Sequence, residues 1–174
     1  METMNSLTTE MRNTAATLLE ALRAFDYDEF NEVPFEGSWT AGQVADHLLK
    51  AADVTQVLHG RTAPTWRNPG EKVEMLRHVF LDFKTKFKTP DFIVPSDGPH
   101  SQAEMDTALT EVWAGLDAAT RKLDLTQTCL DFELPVFGLL TRTEWICFYM
   151  VHTQRHIHQL IRMQEAMSKR PISQ

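Results

Sequence analysis

The chain has 174 residues, 43% hydrophobic and 24% charged. That balance predicts one soluble globular domain, residues 1–174, with enough chain for a real core. Its formal net charge of −7 argues against a nucleic-acid or anionic-membrane partner. The longest apolar run, residues 145–151, is far too short to cross a bilayer.

The opening stretch, METMNSLTTEMRNT, is polar and has no apolar leader segment, so a cytoplasmic location is expected. The two cysteines, Cys129 and Cys147, form no CxxC. They are expected to be buried thiols in a reducing compartment.

The first helical pattern covers residues 6–25, with Met11, Leu18, Leu22 and Phe25 at helical spacing. Residues 26–37 read as an acidic surface loop with Pro34 and Gly37. Ser38 or Thr40 then caps a second helix. Its inward stripe is Val44, Leu48, Ala51, Thr55 and Leu58, and Asp46, Lys50 and Asp53 form its wet side. His47 lies on the flank of the apolar stripe, one turn after Gln43.

Residues 59–70 are a loop rich in Gly and Pro. A third helix is expected from about Glu71, with Val73, Leu76, Phe80, Phe83 and Phe87 in a heptad-like stripe, and Pro90 stops it. Lys84, Lys86 and Lys88 would then suit the negative end of that helix's dipole, a reading preferred to a phosphate site. A second loop covers residues 91–99. Ser101-Gln-Ala-Glu104 has the form of a capping box and opens a fourth helix, with Met105, Leu109, Val112, Leu116, Ala119 and Leu123 inward. Residues 126–140 form an irregular connector. Thr141 or Thr143 caps the last helix, which runs to about Met167, and the polar tail from residue 168 is expected to fray. The fold class is all-α: a four-helix-bundle core, about five helices in total.

The last helix carries the unusual chemistry. Tyr149, His152, His156, Gln159 and Met163 share one stripe, so two imidazoles sit where a bundle would place leucines. His158 points to the other side. Ile146, Met150, Ile157 and Ile161 form a second apolar stripe, with Phe148 and Val151 on a third side. A helix apolar nearly all round is either buried or shared, which hints at a homodimer.

Two buried imidazoles need partners, and HxxxH lets one helix offer two metal ligands. His47 is the best third ligand. His59 begins a loop, His78 lies off its helix's stripe, and His100 precedes a cap. Neutral imidazoles suit zinc, nickel, iron or copper, and three of them leave a position open for water or substrate. Thr153 stands where HExxH would require its glutamate, so that protease mechanism has no support. The alternative is a pair of core histidines bonded to carbonyls or to Gln159. Gln43 and Gln159 could orient imidazoles or substrate, or else bond to other interior groups. Tyr149 and Trp145 either line the pocket or serve as core aromatics.

Three blocks carry a resemblance. They are Trp39-Thr-x-x-Gln43-x-x-x-His47, Pro135-x-x-Gly138-x-Leu140-Thr141, and His152-x-x-x-His156-x-x-Gln159. Their order and spacing resemble the DinB/YfiT-like metalloenzyme family over nearly the whole chain. The resemblance implies a four-helix-bundle core with a divalent metal held by His47, His152 and His156. The ion would be zinc, nickel, iron or manganese. It also implies a small-molecule substrate, with either thiol-dependent transfer using a low-molecular-weight thiol or metal-dependent hydrolysis. A non-catalytic metal- or ligand-binding bundle is the competing expectation. Many relatives have a histidine just before the last ligand; this chain has Arg155.

Overall fold

A computed structural model describes residues 2–169, with side chains from residue 6 onward. Its α-helices are α1 (Glu2–Arg23), α2 (Ala41–Ala51), α3 (Val54–His59), α4 (Val73–Phe80), α5 (Gln102–Lys122) and α6 (Arg142–Ser168). Only residues 52 and 53 separate α2 from α3, so the two form one broken helical segment. That leaves five helical segments among the described residues. Residues 170–174 of the expected frayed tail lie outside them.

Four segments make the bundle. α1 and α2 each pack against both α5 and α6, while α3 packs against α5 and α6 and α4 lies along α6. The predicted stripes fill the interior: Met11, Leu18, Leu22, Leu48, Leu109 and Leu116 are almost fully buried. The loop after α1 also contributes to the core. A 3-10 turn, Glu29–Asn31, inserts Phe30 beneath α2. At one end the short strands β1 (Thr62–Ala63) and β2 (Thr128–Cys129) pair antiparallel and tie together the two loops that carry them.

The third helix is shorter than its heptad pattern predicts. It ends at Phe80, leaving Phe83 and Phe87 on an irregular strap, partly exposed. Two sets of contacts stop it, one local and one from α6. The Asp82 carboxylate accepts from Lys84 N at 3.1 Å and from Thr85 Oγ1 at 2.6 Å, the kind of side-chain turn that competes with a helix. The Arg155 guanidinium donates to the carbonyls of Phe80 (3.3 Å), Asp82 (2.8 Å) and Thr85. Lys84, Lys86 and Lys88 therefore stand at no helix end, and the dipole account of them falls.

α6 is buried at fifteen positions, including Ile146, Met150 and Ile157. Its neighbours α1, α2, α3 and α4 cover it within one chain. The breadth of its apolar surface thus needs no second subunit, although Ile161 is 43% exposed. Both cysteines are free and buried, and burial pushes each thiol up to about 11. No helix of the described residues is long and apolar enough to cross a membrane.

Candidate metal centre

Two helix starts set the positions of the histidines. At α2, Thr40 Oγ1 accepts from Gln43 N and Gln43 Oε1 accepts from Thr40 N, both at 3.0 Å. At α6, Thr141 Oγ1 accepts from Glu144 N at 3.2 Å and Glu144 Oε2 accepts from Thr141 N at 2.9 Å. Each is a reciprocal capping box that fixes where the helix begins, and so which side chains face inward. The Glu144 carboxylate also accepts both Arg67 nitrogens at 2.5 and 2.6 Å and Lys72 N at 2.9 Å. That pins the loop before α4 to the start of α6.

His47, His152 and His156 converge. All three are buried, at 2%, 7% and 9% exposure. His152 Nε2 lies 3.1 Å from His47 Nε2 and 3.2 Å from His156 Nε2. Ligand atoms of all three lie within 4.8 Å of one another, and among the described residues no other such group of His, Cys, Asp and Glu occurs.

The far side of two rings fixes their tautomers. His47 Nδ1 lies 2.8 Å from the Ile93 carbonyl. A carbonyl can only accept, so Nδ1 carries the proton and Nε2 presents a lone pair. His156 Nδ1 lies 2.8 Å from Gln159 Oε1, and with that oxygen as acceptor the same assignment follows. Two lone pairs therefore face His152 Nε2, which has at most one proton to offer. His152 Nδ1 is buried with no hydrogen-bond partner. Its ring is held instead by Phe148, stacked at 5.7 Å, and by Phe80, edge-on at 6.2 Å.

This donor set fits a cation. Tetrahedral ligands at about 2.05 Å from an ion stand about 3.3 Å apart, close to the two Nε2 spacings. Burial lowers the basicity of all three rings. For His47 it outweighs the Ile93 bond and the charge of Asp46. For His156 burial and the adjacent His47 bring the value to about 3, against the pull of Gln159. His152 is driven well below the ordinary range by burial, its two ring neighbours and Arg155. At neutral pH all three are uncharged, the form that ligates metal.

The remaining predicted site residues divide. Gln159 bonds the His156 ring at Nδ1. Gln43 does not touch the rings through its amide: its oxygen serves the capping box, and Nε2 donates to Ser96 O at 3.3 Å. Tyr149 is a core residue whose hydroxyl donates to Leu48 O at 3.0 Å and whose ring meets Trp113. Trp145 is buried between Phe132 and Phe148. His158 stacks on Phe83 at 4.1 Å, away from the cluster.

Sequence reasoning missed the Ile93 carbonyl, which no side-chain motif could reveal. It also missed the walls. Trp39, noted only as part of a motif, lies 5.1 Å from His47 and 6.4 Å from His156.

A bundle of this kind with three inward imidazoles defines a class, and the sequence comparison names it. Residues 10–160 match the model of the DinB superfamily, and the chain belongs to that superfamily. It is 28% identical over 155 residues to YuaE, an uncharacterized protein of Bacillus subtilis (strain 168), covering 85% of this chain and 91% of that one. Two solved structures share the fold. One is TT2238, a four-helix bundle protein, with TM-score 0.59, 22% identity, and 91% of this chain and 98% of that chain covered. The other is YfiT from Bacillus subtilis, described as a probable metal-dependent hydrolase with an unusual four-helix bundle topology. Its TM-score is 0.61, with 15% identity and 96% and 89% covered.

Proposed function

We propose that this chain is a metal-dependent enzyme acting on a small molecule, with His47, His152 and His156 as the ligands of one divalent cation. The observation that carries this reading is the meeting of three Nε2 atoms, two of them with lone pairs fixed by bonds on the far side of the ring. Superfamily membership and the description of YfiT support it. When bound, such an ion supplies Lewis acidity that lowers the pKa of a water or small thiol. The chain's own groups do the rest. The Ile93 carbonyl and Gln159 hold two rings in register, while Trp39, Phe80 and Phe148 keep bulk water from the imidazoles. Hydrolysis and transfer to a low-molecular-weight thiol both fit this chemistry.

Elemental analysis of protein purified without a polyhistidine tag or added metal tests the site. About one transition-metal ion per chain is expected, and none in His152→Ala. Equal metal content in the two proteins removes the ligand assignment. The near-complete burial of the three rings favours a second reading, a metal-holding bundle without turnover. Metal-loaded protein assayed on simple esters and on thiol-plus-electrophile mixtures separates the two: turnover that needs the ion supports the enzyme.

A further inference from the structure

The face of α2 that bears His47 also bears Gln43, Asp46 and Lys50, at positions that share one side of a helix. In the sequence Asp46 and Lys50 look like a solvated flank. In the structure that flank is covered by the loop after the 3-10 turn Asp91–Ile93. Lys50 Nζ donates to Val94 O at 2.8 Å. Asp46 Oδ2 accepts from Ser96 N at 2.7 Å and from Ser96 Oγ at 3.0 Å. Gln43 Nε2 reaches Ser96 O. His100 Nε2 lies 3.0 Å from Ser96 Oγ, and Asn31 holds the His100 backbone through Oδ1 at 2.7 Å and Nδ2 at 2.9 Å. The segment so fastened begins at Ile93, whose carbonyl accepts the hydrogen bond from His47 Nδ1–H.

We infer that Asp46 is a positioning residue for the metal centre: by binding Ser96 it holds the Ile93 carbonyl where it sets the tautomer and aim of His47. The inference rests on the metal-site reading above. The physical reason is leverage. A lone backbone carbonyl on a loop orients a ring only if the loop is fixed. The Phe92 ring meets Phe132 at 6.3 Å, but the side-chain hydrogen bonds that hold the segment come from the α2 face and from His100 and Asn31. Partners one step removed from the metal commonly change affinity by about 10–100-fold when removed. Asp46 neighbours His47 in sequence, so one turn of helix carries both the ring and the clamp for its orienting group.

The test compares Asp46→Ala and Ser96→Ala with Asp131→Ala. Asp131 clamps a different loop, accepting from Arg61 N at 2.7 Å and Arg61 Nε at 2.6 Å. Zinc affinity is measured by competition with a chromogenic chelator. The His47 Nδ1–H resonance and its solvent exchange are followed by NMR in metal-free protein. Asp46→Ala is expected to weaken zinc binding about 10-fold or more and to speed exchange of that proton, with Ser96→Ala intermediate. Asp131→Ala is expected to lower Tm without either change. Wild-type affinity and a protected proton in Asp46→Ala overturn the inference, as does a loss no larger than that of Asp131→Ala. Absence of zinc binding in the wild type sinks the metal reading instead. The proton's exchange in metal-free protein still reports whether Asp46 holds the His47–Ile93 bond.

Discussion

Gln159 sits one turn beyond His156 on the same helix, and its Oε1 lies 2.8 Å from the ring's Nδ1. Through this bond α6 itself sets which nitrogen of His156 faces the cluster. Replacing Gln159 with Leu removes that acceptor and leaves a buried N–H. Metal affinity is expected to fall about 10-fold, read by chelator competition. Gln159→Glu keeps the acceptor and is expected to retain tight binding. Equal affinities in wild type and Gln159→Leu would remove Gln159 from the site.

His152 is the middle member of the cluster, and both short nitrogen contacts run through it. His152→Ala is expected to lose the bound ion and remain helical by circular dichroism. An ion bound only to the native state stabilises it by mass action, about 4 kcal/mol at a thousand times its dissociation constant. A chelator should therefore lower the Tm of the wild type by several degrees and leave that of His152→Ala unmoved.

Arg155 holds the strap that follows α4. Besides its three carbonyl bonds it lies over the Phe87 ring at 4.7 Å, and Phe87 in turn stacks on Phe80 at 5.6 Å. Phe80 touches His152. Arg155→Leu frees those carbonyls and the strap with them. Limited trypsin digestion is expected to cut at Lys84, Lys86 or Lys88 at least several times faster than in wild type. An unchanged cleavage pattern would show that the strap is held by other means, such as Phe83 against His158.

Glu144 gives the fold a defined acid limit. Its complete burial raises the cost of its charge, but the Arg67 side chain and the amides of Thr141 and Lys72 outweigh this, and its pKa is lowered overall. A carboxylate depressed in the native state binds more protons when unfolded. Its contribution is therefore complete above the unfolded value, about 4.3, and is lost as pH falls through the native one. Glu144→Gln leaves Arg67 without its counter-charge and is expected to cost about 3 kcal/mol at neutral pH. Its stability should then vary less than that of the wild type below pH about 4.3, read from urea midpoints across pH. The buried histidines act in a separate window. In metal-free protein they cost stability as pH falls below about 6.5, where unfolded imidazoles charge and native ones do not.

Much of this was legible in the sequence because it depended on periodicity and local chemistry. The stripes of α1, α2 and α5 and the caps Thr40, Ser101 and Thr141 are set by residues within a turn or two. So is the shared face of His152 and His156. The early end of α4 was hidden because one of its two causes, Arg155, lies about seventy residues away. The heptad spacing of Phe83 and Phe87 arises without a helix. The wet side of α2 misled for a similar reason: polar residues that dock a polar loop look the same as residues facing water. The capping role of Gln43 was available from Thr40-x-x-Gln43, a capping-box spacing in its own right, but a glutamine one turn before a candidate ligand suggested the site instead.

The two sulfhydryls, each 0% exposed, have a practical consequence. Neutral and shielded, they should ignore maleimides and iodoacetamide under native conditions. A cysteine placed at Tyr27, 84% exposed, would then take a fluorophore or spin label alone. Spectroscopic distances could be measured on the natural background, with neither Cys129 nor Cys147 mutated away.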